Sequence, residues 1–291
     1  VGQTVNDMNQ RGARVGWRLV AQQKLADRIV NNKVRAGLGG NLRLLICGGA
    51  ALDPELAKWF EALGIAVREG WGLSETTAPA AVNGLDDVRF GTVGKALDGT
   101  EVVLAADGEI MVRGPGVFQG YLKDPVATEE AFTEEGFFKT GDLGHIEDGF
   151  IRIIGRKKEI IVTSGGKNIA PRPIEVALET GLVDAALVVG DNRPYLTALL
   201  TPNMAKLKDK ANHANWGETL EEWCIHPEFL QEIDAQVEMT NQSLAQFQSI
   251  KKWVVLPCEF SEENGLLTPT LKPKRTAIAD RFHREIEGMY T

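Results

Sequence analysis

The stretch GRKKEIIVTSGGKNIAPRPIE, Gly155 to Glu175, decides how this chain is organised. Three cations, Arg156, Lys157 and Lys158, precede a β-branched run from Ile160 to Val162 that suits a strand. Ser164, Gly165 and Gly166 follow as a loop whose glycines open backbone conformations closed to other residues. Pro171 and Pro173 then open a helix, where a fixed φ and a missing N–H are tolerated. Each part alone also has a plain reading, the charges as a solvated face and the glycines as a hairpin turn. The weight of the stretch comes from what stands on either side of it.

Upstream, from Phe90 to Ile154, apolar residues alternate in short runs bounded by turn signals: Thr100 to Leu104, Asp107-Gly108, Glu109 to Arg113, and Phe150 to Ile154 after Asp148-Gly149. That period of two predicts a β-rich subdomain. Before it the pattern is of α/β type. Apolar residues at Val15, Leu19, Leu25, Ile29, Val30, Val34 and Leu38 predict a long amphipathic helix from Arg14, stopped by Gly37, Gly39 and Gly40. Leu42 to Cys47 predicts a short buried strand, with Cys47 as a small core residue. Asp53, Pro54 and Glu55 supply an N-cap, a first-turn proline and a first-turn acid. The helix they start should bury Leu56, Trp59 or Phe60, and Leu63, and end at Gly64, with Ile65 to Val67 as the next strand.

Downstream the elements are mixed: a strand at Ile160 to Val162, a helix from Pro173 to Glu179, strands at Ala185 to Val189 and Leu196 to Thr201, two polar helices between Leu220 and Gln248, and a strand at Trp253 to Leu256. The fold class expected is therefore α/β with α+β subdomains. The domains expected are residues 1–158 and a smaller α+β domain over 159–291.

The 291 residues are 43% hydrophobic and 25% charged, a globular composition that excludes disorder and collagen-like repeats. Net charge is −8, most of the acidic excess lying beyond Lys158, which is the wrong sign for a general nucleic-acid binder. Cys47, Cys224 and Cys258 are too scattered for a disulfide framework or a zinc site, so a reducing cytoplasm is the expected setting. No apolar run reaches the roughly 20 residues that span a bilayer. Peripheral contact with a membrane stays open.

Two further motifs carry chemistry. In GWGLSET, Gly70 to Thr76, glycines let a backbone approach a ligand, a hydroxyl can donate to a phosphate, and a carboxylate can hold a cation that bridges phosphates; a plain strand-to-loop turn is the alternative. In KTGDLG, Lys139 to Gly144, an Asp just past a tight glycine turn can accept two hydrogen bonds, as a cis-diol would offer; an Asx turn is the alternative.

With LTPTLKPKR, Leu267 to Arg275, these three segments stand in the order and spacing of the adenylate-forming superfamily, which includes acyl-CoA synthetases, firefly luciferase and peptide-synthetase adenylation domains. The resemblance covers essentially the whole chain. It is closest to bacterial long-chain fatty-acid CoA ligases, through LADRIVNNKVRAGLGG, LRLLICGGAALDPELAKWFEALG and the LTPT form of the last motif.

The resemblance implies roles for particular residues. Gly49, Ala50 and Ala51 would line an adenine pocket continued by Glu69, Gly70 and Trp71, whose flat ring replaces the usual Tyr and could stack on the base. Ser74 stands where the family usually has Thr and would contact the α-phosphate. Glu75 would be the Mg²⁺-associated carboxylate. Asp142 would bind ribose, and Arg156 the ribose and phosphate region. Lys158 falls at the hinge of a mobile small domain. Ser164, Gly165 and Gly166 would border the pantetheine tunnel, and Lys272 would enter the site in the first step.

The activity implied is ATP-dependent conversion of a fatty acid to acyl-AMP with release of pyrophosphate, then transfer to CoA. ATP, Mg²⁺ and CoA are the expected cofactors and substrates. Another acyl-adenylating enzyme, acting on a shorter or aromatic acid or passing the acyl group to a carrier protein, and a non-catalytic nucleotide-binding remnant are the alternatives. Neither a Ser/Thr/Gly-rich phosphate loop nor a Walker A pattern is present. The expectation is thus that residues 1–158 are the back part of a larger AMP-binding domain, and that these 291 residues alone do not complete the reaction.

Overall fold

The structure is a computed structural model that describes residues 16–214 and 216–291. The chain divides between Ile154 and Gly155 into two compact units.

The first unit opens with helix α1 (Trp17–Ala26), a π-helical turn (Asp27–Asn31) and helix α2 (Asn32–Gly37). The long helix expected here is therefore broken by a widened turn, and Arg14 and Val15 lie outside the described residues. Among the described residues its apolar stripe is not buried: Ile29 is 54% and Leu25 59% exposed. Polar side chains fasten it instead. The Asn31 amide donates to the Ala62 carbonyl at 3.4 Å, and Arg35 Nη1 to the Leu63 carbonyl at 2.6 Å.

Strand β1 (Leu45–Cys47) runs parallel to β2 (Val67–Leu73), with Cys47 opposite Glu69, and helix α3 (Pro54–Ala62) crosses between them. Asp53 caps α3 by accepting the Glu55 N–H at 2.9 Å, and Gly64 takes φ +73° just past its end. The burial expected here is met only in part, by Phe60 and Leu63, which are half-buried. Leu56 and Trp59 are exposed while Ala57 is the buried residue, Ile46 in the supposedly buried strand is 64% exposed, and Cys47 is half-buried. An apolar pattern marks a face that calls for a cover, and no described residue covers this one.

From β2 the sheet continues antiparallel through β3 (Ala78–Val82) to β4 (Lys95–Ala96). GWGLSET does not follow the strand as expected: Gly70 to Leu73 lie within β2, and Ser74 to Thr76 form the single 3-10 turn that leaves it. The β-rich subdomain is a sheet of order β5-β6-β7-β8, made of β5 (Glu101–Leu104), β6 (Glu109–Arg113), β7 (Phe138–Glu147) and β8 (Phe150–Arg156). Helix α4 (Pro125–Ala131) precedes β7. Trp71, Ala80, Ala81, Val93, Ile110, Val112 and Ile151 form the core of this unit.

In the second unit β9 (Ile161–Val162) and β10 (Asn168–Ile169) form a short hairpin, followed by helix α5 (Pro171–Leu178). A three-stranded sheet has the order β11 (Val183–Val189), β12 (Leu196–Pro202), β13 (Ile250–Val255). Every residue of β12 is buried, because apolar layers cover both faces of the sheet. Ala186, Val188, Ala198 and Leu200 face one layer, and Leu187 and Leu199 the other. Helix α6 (Met204–Ala214) escapes the sequence reading because only Leu207 and Ala211 are buried along it. Helix α7 (Leu220–Cys224) precedes α8 (Pro227–Gln242), whose Phe229, Ile233 and Val237 repeat at helical spacing into the first layer. Helices α9 (Arg275–Arg281) and α10 (His283–Gly288), also unforeseen, close the second layer.

Candidate active site

The parallel β1–β2 pair sets the loop after β1 beside the middle of β2. A Cβ on Gly48 would lie 3.0 Å from the Gly70 carbonyl oxygen, so the backbones approach closely there. Gly49 takes φ +84°, and Gly49, Ala50 and Ala51 form an exposed turn. That turn is fixed at its far end by Glu69, whose Oε1 accepts the Leu52 N–H at 3.1 Å. Burial pushes the Glu69 carboxyl above its usual range, partly opposed by the Leu52 N–H and the positive charge of Arg152.

Trp71 is 9% exposed and its ring packs in the core, so its polar contribution is the indole N–H, which donates to Asp142 Oδ2 at 2.8 Å. Asp142 is 5% exposed. The tight glycine turn expected before it is a β-bulge inside β7. The β6–β7 register jumps from Glu109 opposite Leu143 to Met111 opposite Lys139, and Gly141 takes φ +71° in the extra length. The bulge is fixed by Gly141 N–H to Glu109 Oε1 at 2.9 Å, Thr140 Oγ1 to the Ile110 carbonyl at 2.6 Å, and Asp142 N–H to Thr140 Oγ1 at 3.1 Å.

Ser74 is exposed at the start of the 3-10 turn, and Glu75 is half-buried beside it. Thr76 ties the turn down by accepting the Leu73 N–H at 2.8 Å and donating to the Ala78 carbonyl at 2.9 Å. Thr77 and Ala78 then take φ 54° and 78°, two successive left-handed residues without glycine's freedom. Gly72 has no room for a side chain, since a Cβ there would meet the Ala78 carbonyl oxygen at 2.0 Å.

Tyr121 was not foreseen. Its hydroxyl donates to Glu75 Oε1 at 3.0 Å, while the Phe118 N–H donates to the Glu75 carbonyl at 2.8 Å. Burial, and then the carboxylate it bonds, push the Tyr121 phenol up. The signal lay in the cluster of Phe118, Tyr121, Phe132 and Phe138, whose rings pack together under this loop. Among the described residues no three His, Cys, Asp or Glu side chains gather to hold a metal.

Gly49 to Ala51, Glu69, Gly70, Trp71, Ser74, Glu75 and Asp142 thus belong to the first unit, joined through β2. The remaining candidates belong to the second. Arg156 ends β8, and Lys158 is exposed in the 3-10 turn Lys157–Glu159. Ser164 to Gly166 connect β9 to β10, with the Ser164 N–H on the Arg193 carbonyl at 2.9 Å and Gly166 at φ +73°. Lys272 is exposed on a hairpin in which the Thr268 N–H donates to the Lys272 carbonyl at 2.8 Å.

The chain belongs to the AMP-binding enzyme family: the model of that family matches residues 15–122, and that of its C-terminal domain residues 158–291. The chain is 43% identical over 294 residues to the long-chain-fatty-acid–CoA ligase FadD15 of Mycobacterium tuberculosis, covering 99% of this chain and 49% of that protein. It is 33% identical over 290 residues to human long-chain-fatty-acid–CoA ligase 1, covering 94% of this chain and 42% of the human one. It therefore spans about half the length of these relatives. Among solved structures, ATP-bound MatB from Rhodopseudomonas palustris is similar at 26% identity and a TM-score of 0.60, covering 82% of this chain and 45% of MatB. The adenylation domain of a carboxylic acid reductase from Segniliparus rugosus shares the fold, with a TM-score of 0.70 at 21% identity over 99% of this chain and 44% of that one. Among the described residues no helix is long and apolar enough to cross a membrane.

Proposed function

We propose that this chain carries the adenylate-binding end of the large domain, and the small domain, of a long-chain fatty-acid CoA ligase. The observation that carries the reading is the β2 assembly, in which one strand joins the Gly49–Ala51 turn, the Ser74-Glu75 turn and the buried Asp142. The 43% identity to a long-chain ligase supports the substrate class.

A carboxylate is a poor electrophile because oxide would have to leave. In the first step its oxygen attacks the α-phosphorus of ATP and the bond to pyrophosphate breaks, leaving acyl-AMP. In the second, the CoA thiolate attacks the carbonyl and AMP departs as a stable anion. The Gly49 turn, held over Glu69 and Gly70, would receive the adenine, and Asp142 would accept from the ribose diol. Ser74 would donate to the α-phosphate. Glu75, steadied by Tyr121, would hold the Mg²⁺ that neutralises charge on the phosphates. Lys272 would supply positive charge as the two anions meet. With Arg156 contacting the ribose and phosphate region, rotation about Lys158 would exchange the Lys272 hairpin for the Ser164–Gly166 loop between the steps.

Pyrophosphate exchange in the full-length protein, run across fatty acids of different length and aromatic acids, tests this reading. Exchange with long-chain acids is the expected result; exchange only with aromatic or short acids, or none at all, overturns it. Lys272→Ala should lower adenylation by about 10²-fold or more while largely sparing thioester formation from preformed acyl-AMP. Equal loss of both would remove Lys272 from this role.

A further inference from the structure

Buried Glu175 and half-buried Arg275 form an ion pair that the chemistry above does not use. Glu175 sits on α5 and is 1% exposed. Its Oε1 accepts the Val188 N–H at 3.0 Å and Arg275 Nη1 at 2.5 Å, while Arg275 Nη2 donates to the Val188 carbonyl at 2.6 Å. Val188 lies on the outer edge strand of its sheet, and the pair grips both its backbone polar groups. The planar guanidinium makes this grip with two nitrogens held in a fixed fork, one on the carboxylate and one on the carbonyl, a geometry that a lysine's single nitrogen does not reproduce.

Arg275 is the first residue of α9 and stands three positions beyond Lys272. The intervening segment is a hairpin with its own bonds: Leu267 bridges to Pro273, the Lys272 N–H donates to Thr268 Oγ1 at 3.0 Å, and the Lys274 N–H to the Leu266 carbonyl at 2.8 Å. Leu271 at its tip is 72% exposed and takes φ +59°. These local bonds set the shape of the hairpin. It is seated on the unit at both ends, by Leu266 in the second apolar layer on one side and by Arg275, where the chain re-enters the body, on the other.

We infer that the Glu175–Arg275 pair positions Lys272, holding the hairpin on β11 in the orientation the adenylation step needs. The inference rests on the reading of Lys272 proposed above. Glu175 does not touch the reacting groups; it acts through Arg275 and the hairpin, which makes both positioning residues. The two motifs that sequence reading singled out separately, PRPIE and LKPKR, thereby become one device.

Hydrogen exchange on the 291-residue chain and the two half-reactions in the full-length protein test it together. In Glu175→Gln the amides of residues 266–274 should exchange about tenfold faster while those of Leu196–Pro202 stay protected. Adenylation should fall about 10²-fold, as expected of a group displaced by about 1 Å, with thioester formation from preformed acyl-AMP changed less than about threefold. Arg275→Lys, which keeps the charge but not the fork, should show the same pattern more mildly and serves if Glu175→Gln does not fold. Equal loss of both half-reactions, acceleration throughout the unit, or an unchanged hairpin would each overturn the inference. A wild-type protein that forms no acyl-adenylate would instead sink the functional reading, with the exchange data still deciding whether the pair anchors the hairpin.

Discussion

Strands β1 and β12 are both short apolar runs, and they have opposite fates. LIC at Leu45–Cys47 has Ile46 64% exposed, whereas LLTP ending β12 has no exposed residue. Composition does not separate them; company does. β12 lies between two paired strands and two apolar layers, one built on Phe229 and Ile233 and the other on Phe260 and Ile278. β1 has one partner strand among the described residues, and Ile46 on it is exposed, as are Leu56 and Trp59 of the helix that follows. A hydrophobic pattern therefore reports which face needs burying, not whether the described chain buries it.

The widest gap between the regions should appear in stability. Phe229→Ala leaves a hole in a closed core and should cost the second unit about 3–5 kcal/mol in denaturant unfolding. Ile46→Ala should change stability by no more than about 0.5 kcal/mol, since little contact is lost. A large loss at Ile46 would mean that β1 is covered after all.

Thiol labelling sharpens the same contrast by chemistry. Burial pushes the Cys224 thiol up to about 11, with the neighbouring charges of Glu221 and Cys258 adding to it, while Cys47 is half-buried on β1. At pH 8 a maleimide should modify Cys47 well before Cys224, which should react at a comparable rate only after unfolding. Early modification of Cys224 would show that the second unit opens more readily than its packing allows.

The smallest effect concerns Glu69. Its folded carboxyl titrates above the ordinary value because burial disfavours the anion, so the fold prefers it protonated. That contribution is fully present below the ordinary carboxyl value and is lost as pH rises through the raised one. Glu69→Gln keeps an acceptor for the Leu52 N–H and removes the buried charge. It should raise stability at neutral pH by up to about 1 kcal/mol and flatten the pH dependence across that window. A steeper dependence in the variant would show that Glu69 is held as an anion.

Much of this was legible in the sequence, because some residues carry their geometry with them. Asp53 with Pro54 fixed the start of α3, and period two between Phe90 and Ile154 gave the β-rich sheet. The candidates Glu75 and Asp142 were readable as residue types within their motifs, and Lys272 only through the family resemblance. What stayed hidden depends on contacts across the chain. The bulge that seats Asp142 needs Glu109 from another strand, the indole bond needs a partner 71 residues away, and Tyr121 reaches Glu75 over 46 residues. Helix α6 was invisible because two buried residues are too few to make a period.

Gly72 has a consequence for how this sequence can vary. The Ala78 carbonyl passes so close that a Cβ would stand 2.0 Å from its oxygen and 2.9 Å from Pro79 Cα. Every amino acid that could replace this glycine adds at least that carbon, so position 72 has no harmless substitution. A saturation scan should show an isolated gap there, with fitness lost alike for alanine, serine and valine, and no second-site change confined to a side chain able to restore it, because the obstacle is backbone.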